Sequence, residues 1–94
     1  MPYLLVRHKV EDYERWKPAF DEHAATQQQS GSKGRRLFRN ADDPNELLIL
    51  NEFDSLDNAR TFGQSQDLKE TMQRAGVADQ PDVYYLDEIE EVRF

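Results

Sequence analysis

The sequence predicts an α+β domain with the element order βαββαβ, and three observations predict it. Four short segments rich in aliphatic and aromatic residues read as strands; two longer segments carry apolar residues at helical spacing; glycine, proline, asparagine and aspartate separate them. With 94 residues, the chain has room for one domain spanning residues 1–94.

The first strand is Tyr3-Leu4-Leu5-Val6-Arg7-His8-Lys9-Val10, too short for a globular helix. Asp12 is a suitable N-cap, and Trp16, Phe20, His23 and Gln27 then follow at i, i+4, i+7 and i+11 on one helical stripe, extending the first helix to about Ser30. Pro18 falls inside it and predicts a kink or a separate first turn, while Gly31 is the natural stop. Arg35 to Asn40 forms the second strand, Ala41 to Asn45 a turn, and Glu46 to Phe53 the third strand, so the middle pair is a hairpin. Asp54 or Ser55 caps a second helical region in which Ala59, Phe62, Leu68, Met72 and Ala75 form the apolar stripe. Gly63 interrupts that region, Ser65 restarts it and Gly76 ends it. After a linker from Val77 to Gln80, Val83-Tyr84-Tyr85-Leu86 opens a fourth strand that runs into the acidic stretch Asp87 to Glu91.

With right-handed crossovers this order gives the ferredoxin-like arrangement: a four-stranded antiparallel sheet, strands one and three central, both helical regions on one face. The other face needs a cover. Leu4, Leu5 and Val6, and Leu47 through Leu50, place apolar groups on both sides of the central strands, where a solvated face calls for alternation. Leaving three or four such side chains in water forgoes roughly 1.5–3 kcal/mol each, comparable in total with the ~5 kcal/mol stability of a small domain. A second copy is the simplest cover, so a homodimer is expected. Lys33, Arg35, Arg36 and Arg39 crowd the second strand and Asp87, Glu88, Glu90 and Glu91 the fourth. One expectation is that Arg36 and Arg39 help close the dimer against the acidic strand of the partner; the other is that both clusters are solvated edges that block aggregation.

Composition narrows the function classes. A hydrophobic share of 37% and a charged share of 33% suit a folded globular protein. The longest apolar runs are four residues, far below the ~20 needed to cross a bilayer. Because Met1-Pro2-Tyr3 leads into a strand without a basic leader, a cytoplasmic location is expected, with no membrane contact. No cysteine and only two histidines leave no thiolate chemistry and little basis for a metal site, so neither metal nor cofactor is expected. A net charge of −7 disfavours nucleic acid except at the Lys33 to Arg39 patch, which lacks interleaved aromatics beyond Phe38. No Ser/His/Asp triad or phosphate-binding glycine loop can be assembled.

The stripe of the first helix begins with Trp16 and Phe20 and ends with His23 and Gln27, the pattern of a cavity lined by a few polar groups. In that reading His23 is a general base for an acidic phenol or enol proton, and Trp16, Phe20 and Gln27 contact an aromatic substrate. The plainer expectation is that the helix tilts off the sheet and leaves His23 and Gln27 at the surface. His8 shares a strand face with Leu4 and Val6, so it either lines the same space between sheet and helices or, the plainer expectation, ends a strand at the rim. Asn51 follows the buried run of the third strand, and either Tyr84 or Tyr85 faces the helices; His8, Asn51 and Tyr84 complete the candidate substrate contacts. The Gly63-Gln64-Ser65-Gln66 break reads as a lid or as an ordinary kink.

Two stretches carry a resemblance. Asp12-Tyr13-Glu14-Arg15-Trp16-Lys17, and the segment from Phe38-Arg39-Asn40-Ala41-Asp42-Asp43-Pro44-Asn45-Glu46 through Asn51-Glu52-Phe53, Ala59, Phe62, Ser65, Leu68 and Met72, resemble the dimeric α+β barrel superfamily. Within it, the chain is most similar to the antibiotic biosynthesis monooxygenase-like group. The resemblance implies a dimeric α+β barrel with a small-molecule pocket. It also implies activities ranging from cofactor-free oxygenation of quinol or anthrone-like aromatics to cyclisation, or a non-catalytic binding or stress-related module. Haem-degrading relatives use a histidine in the second helical region and an asparagine in the first strand. Residues 54–76 hold no histidine and the first strand no asparagine, so haem is not expected.

Overall fold

A computed structural model describes residues 2–74, 76 and 81–94; for Asp67, Thr71 and Arg74 the backbone alone is described. The elements run β1 (Pro2–Lys9), α1 (Tyr13–Glu22), α2 (Ala24–Gln29), β2 (Ser32–Asn40), β3 (Asp43–Phe53), α3 (Leu56–Gly63), α4 (Gln66–Arg74) and β4 (Asp82–Asp87). The sheet order β2-β3-β1-β4 is antiparallel throughout, so β1 and β3 are central and the basic and acidic strands are opposite edges, as expected.

The helix boundaries follow local chemistry. Asp12 accepts the Glu14 backbone N–H at 3.0 Å, Ser55 accepts that of Asn58 at 3.1 Å, and Ser65 accepts that of Leu68 at 3.1 Å. Each side-chain oxygen satisfies a donor that the first helical turn leaves unpaired. The expected single first helix is instead two. Pro18 removes one backbone bond without ending α1; the interruption falls at His23, whose N–H bonds the Phe20 carbonyl at 3.1 Å before Gln27 N–H bonds the His23 carbonyl at 3.1 Å. Gly31 then turns the chain into β2 at φ +101°, a conformation that side chains disfavour, and a Cβ there would lie 2.7 Å from the Asp54 carboxylate.

Strand boundaries also differ from expectation, and β2 already begins at Ser32 rather than Arg35. The β2–β3 loop is only Ala41-Asp42, because Asn40 already pairs with Asp43. The Asn45 backbone N–H and the Lys9 ammonium hold the Asp43 carboxyl below the ordinary carboxylate range. The fourth strand stops at Asp87, which pairs with Pro2, rather than continuing through Glu91. The expected linker at 77–80 and the apolar position at 75 lie outside the described residues.

Cross-strand register decides which side chains meet the helices. Leu4, Val6 and His8 from β1 and Leu47, Ile49, Asn51 and Phe53 from β3 are buried under Trp16 and Phe20 of α1, Ala59 and Phe62 of α3 and Leu68 of α4. The opposite face carries Tyr3 and Leu5 of β1, Leu48 and Leu50 of β3, Phe38 of β2, and Tyr84 and Leu86 of β4. Phe38 and Tyr84 there are about half exposed, at 48% and 52%. Partial burial and the carboxylates of Glu88 and Glu52 push the Tyr3 phenol above its ordinary range.

The basic strand is divided between the two faces. Arg36 lies opposite Leu50 on the open side, but Arg39 turns to the helices and packs over the Tyr13 ring at 4.4 Å. Of the pair expected to reach a partner, only Arg36 is on the right face, because neighbouring strand residues point in opposite directions. The same alternation breaks up the continuous patch considered as a nucleic-acid contact. Among the described residues, no helix is long and apolar enough to cross a membrane.

Candidate functional site

Four polar side chains are buried among the described residues: His8, His23, Gln27 and Asn51. All four line one cavity between the sheet and the helices. Trp16 and Phe20 form one of its walls, Val6 and Ile49 the floor, and Phe62, Leu68 and Met72 the side toward α3 and α4.

The helical stripe places its aromatics in order. Trp16 and Phe20 stack at 4.5 Å with planes 17° apart, Trp16 meets His8 edge-on at 5.5 Å, and His23 packs against Phe62 at 5.7 Å. The plainer sequence expectation fails for both histidines. His23 and Gln27 are buried rather than at the surface, because the break at His23 keeps the stripe over the sheet into α2. His8 is only 2% exposed rather than at a rim, since β1 continues past it and α1 lies across it.

Asn51 is tied to the start of β2: the Ser32 hydroxyl donates to Asn51 Oδ1 at 3.3 Å. Gln27 accepts from Arg35 Nη1 through Oε1 at 3.0 Å, and the Arg35 guanidinium lies 3.9 Å above the Phe20 ring while its Nη2 reaches Asp21 at 3.2 Å. Arg35, which in the sequence stands out only as one of the basic cluster on the second strand, is thus a neighbour of the site; its place on the helix-facing side, two residues before Leu37, is the signal for it.

Tyr84 does not belong to the site. It pairs with Leu5 on the open face, while Tyr85 pairs with Leu4 and faces the helices, because the β1–β4 register sets which of two adjacent tyrosines turns inward. Tyr85 in turn explains the glycine in the second helical region. A Cβ on Gly63 would lie 2.6 Å from the Tyr85 hydroxyl, so a close approach requires the glycine there, at the last residue of α3. Gly63→Ala is expected to lower the urea midpoint, and Tyr85→Phe in the same chain to recover part of the loss by removing the clashing oxygen. If the double variant is no more stable than Gly63→Ala alone, the contact is not the reason for the glycine.

The cavity holds about 40 Å³, room for a few water molecules but well below the ~150 Å³ that accommodates a benzene ring. Among the described residues no three histidine, aspartate or glutamate side chains cluster as metal ligands would. The site therefore offers imidazole and amide groups in an apolar enclosure: proton acceptors and hydrogen-bond partners placed where water is scarce.

No protein-family model matches the sequence, and no curated protein matches it significantly. The likeness to known proteins is in three dimensions. A candidate antibiotic biosynthesis monooxygenase from Bordetella bronchiseptica superposes with a TM-score of 0.78 at 17% identity, over 95% of this chain and 97% of that one. SnoaB, a cofactor-independent oxygenase from Streptomyces nogalater, superposes with a TM-score of 0.78 at 15% identity, over 97% and 95%. A candidate antibiotic biosynthesis monooxygenase from Caulobacter crescentus gives 0.75 at 20% identity, over 95% and 90%. The chain thus has the ferredoxin-like α+β fold of the antibiotic biosynthesis monooxygenase-like proteins.

Proposed function

We propose that the chain is a cofactor-free, monooxygenase-like enzyme acting on a small aromatic molecule in the cavity between α1–α2 and the sheet. One observation carries this reading: all four buried polar side chains among the described residues converge on a single apolar cavity. A core built only for packing has no reason to gather its imidazoles and amides there, since each costs free energy to desolvate. The fold shared with a cofactor-independent oxygenase supports the reaction class.

In this reading His23 removes a proton from a phenol or enol, and the electron-rich anion itself reduces dioxygen. For a methylene flanked by aromatic rings the balance closes without a cofactor: CH₂ and O₂ give C=O and H₂O, with all four electrons supplied by the substrate. Trp16 and Phe20 present a ring surface, while Gln27, His8 and Asn51 provide the polar partners that orient the substrate oxygens.

A homodimer closed over the open face completes the proposal. Leu5, Leu48, Leu50, Phe38, Tyr84 and Leu86 leave there an apolar surface that a second sheet covers.

The small cavity favours a second reading, a dimeric module that holds its ligand without turnover or is filled by its own side chains. Oxygen uptake separates the two. With aromatic quinols and phenols in air, the enzyme reading expects consumption that falls about 10²–10⁴-fold in His23→Ala, the usual range for a lost general base. Silence from every substrate, with the variant indistinguishable from the parent, leaves the binding module.

A further inference from the structure

We infer that the substrate of the cavity enters across the Gln27–Arg35 contact and carries a carboxylate that seats on Arg35 beside Lys33. This inference rests on the pocket reading above and names the ligand class.

A second space lies on the other side of Gln27. It is a cleft of about 240 Å³ between α2 and the start of β2, and Gln27 borders both it and the inner cavity. The inner cavity alone is too small for a ring. The cleft, open to solvent, adds about 240 Å³ directly beside it, so a ring lying across Gln27 has room that the inner cavity lacks. Gln27 is common to both linings, and its side chain is held by the 3.0 Å hydrogen bond from Arg35 Nη1.

The chemistry of the cleft is cationic. Lys33 and Arg35 both line it, in a chain whose net charge is −7. Asp21, the nearby carboxylate, is shared: it takes Lys17 Nζ at 2.7 Å as well as Arg35 Nη2 at 3.2 Å. Those four side chains sum to two positive charges. A ligand carboxylate that replaces the Gln27 amide oxygen on Nη1 exchanges a neutral acceptor for a charged one, which strengthens the hydrogen bond and frees Gln27 to turn. Arg35 also rests on the Phe20 ring at 3.9 Å, so the cation that would fix the carboxylate is held against the wall where the ring would lie.

The test uses the single tryptophan, Trp16, whose indole N–H gives one resonance inside the cavity. 2-Naphthoate and its neutral near-isostere 2-naphthamide are titrated into the intact protein while that resonance is followed. Naphthoate is expected to bind about tenfold more tightly, the worth of one charge-assisted hydrogen bond over a neutral one. Arg35→Gln is expected to bring the two affinities together, and Lys33→Gln, at an exposed position, to reduce the preference if Arg35→Gln does not fold. Equal affinities with the indole signal moved by both ligands would overturn the carboxylate assignment and leave the pocket standing. An indole signal unmoved by either would remove the pocket and this inference with it.

Discussion

Leu5→Asp is expected to convert the protein from a dimer to a folded monomer at micromolar concentration. Leu5 lies in the middle of the open face, in a row running Arg36, Leu50, Leu5, Tyr84 across all four strands. In an isolated chain that position is partly exposed, so an aspartate there keeps much of its hydration. Against a second sheet it becomes a buried charge with no partner, at a cost of about 3–5 kcal/mol. Each protomer contributes one such aspartate, so the dimer dissociation constant should rise by at least the roughly hundred- to few-thousandfold that one alone implies, at 1.4 kcal/mol per decade. Sedimentation velocity over a concentration series checks it, with Thr61→Asp on the exposed side of α3 as the control that leaves association unchanged. Arg36→Glu, at the end of the same row, should weaken association less, because a charge at an interface rim remains solvated. A parent protein that is monomeric and fully folded at these concentrations would refute the covered face altogether.

What could be read from the sequence was local or periodic. Asp12, Ser55 and Ser65 cap helices through bonds two or three residues away, so the chain itself carries the signal. The unbroken apolar run Leu47 to Leu50 identified a central strand, because only two-sided burial relaxes the alternation. The site was legible where it followed a helical stripe: Trp16, Phe20, His23 and Gln27 do line one cavity. What escaped depended on contacts between distant segments. Whether His8 and His23 are buried is set by how α1 and α2 lie across the sheet. Whether Tyr84 or Tyr85 turns inward is set by the pairing of β4 with a strand some eighty residues earlier. The two-fold use of β2, with Arg35 and Arg39 over aromatic rings and Arg36 on the open side, needs its register with β3.

Trp16→Ala is expected to be the most damaging single change within the chain, and its size measures how far the cavity is built in advance of any ligand. The indole is 2% exposed, stacked on Phe20 and edge-on to His8, so its removal leaves those two rings without their largest neighbour. Truncating a buried aromatic costs about 3–5 kcal/mol, the lost burial adding to the cavity left behind. For a domain of this size each kilocalorie moves the melting temperature by about 4–8 °C, so a fall of about 12–40 °C is expected by calorimetry at fixed protein concentration. Trp16→Phe should lose far less, because a smaller ring can still stack on Phe20. Added indole should restore part of the loss in Trp16→Ala by occupying the vacated space, as ligand binding to the folded state alone raises stability. A drop of only a few degrees, with no response to indole, would mean that the surrounding side chains collapse into the space. Walls that yield so readily could not hold His23, Gln27 and Asn51 in place around a substrate, and the non-catalytic reading would then be preferred.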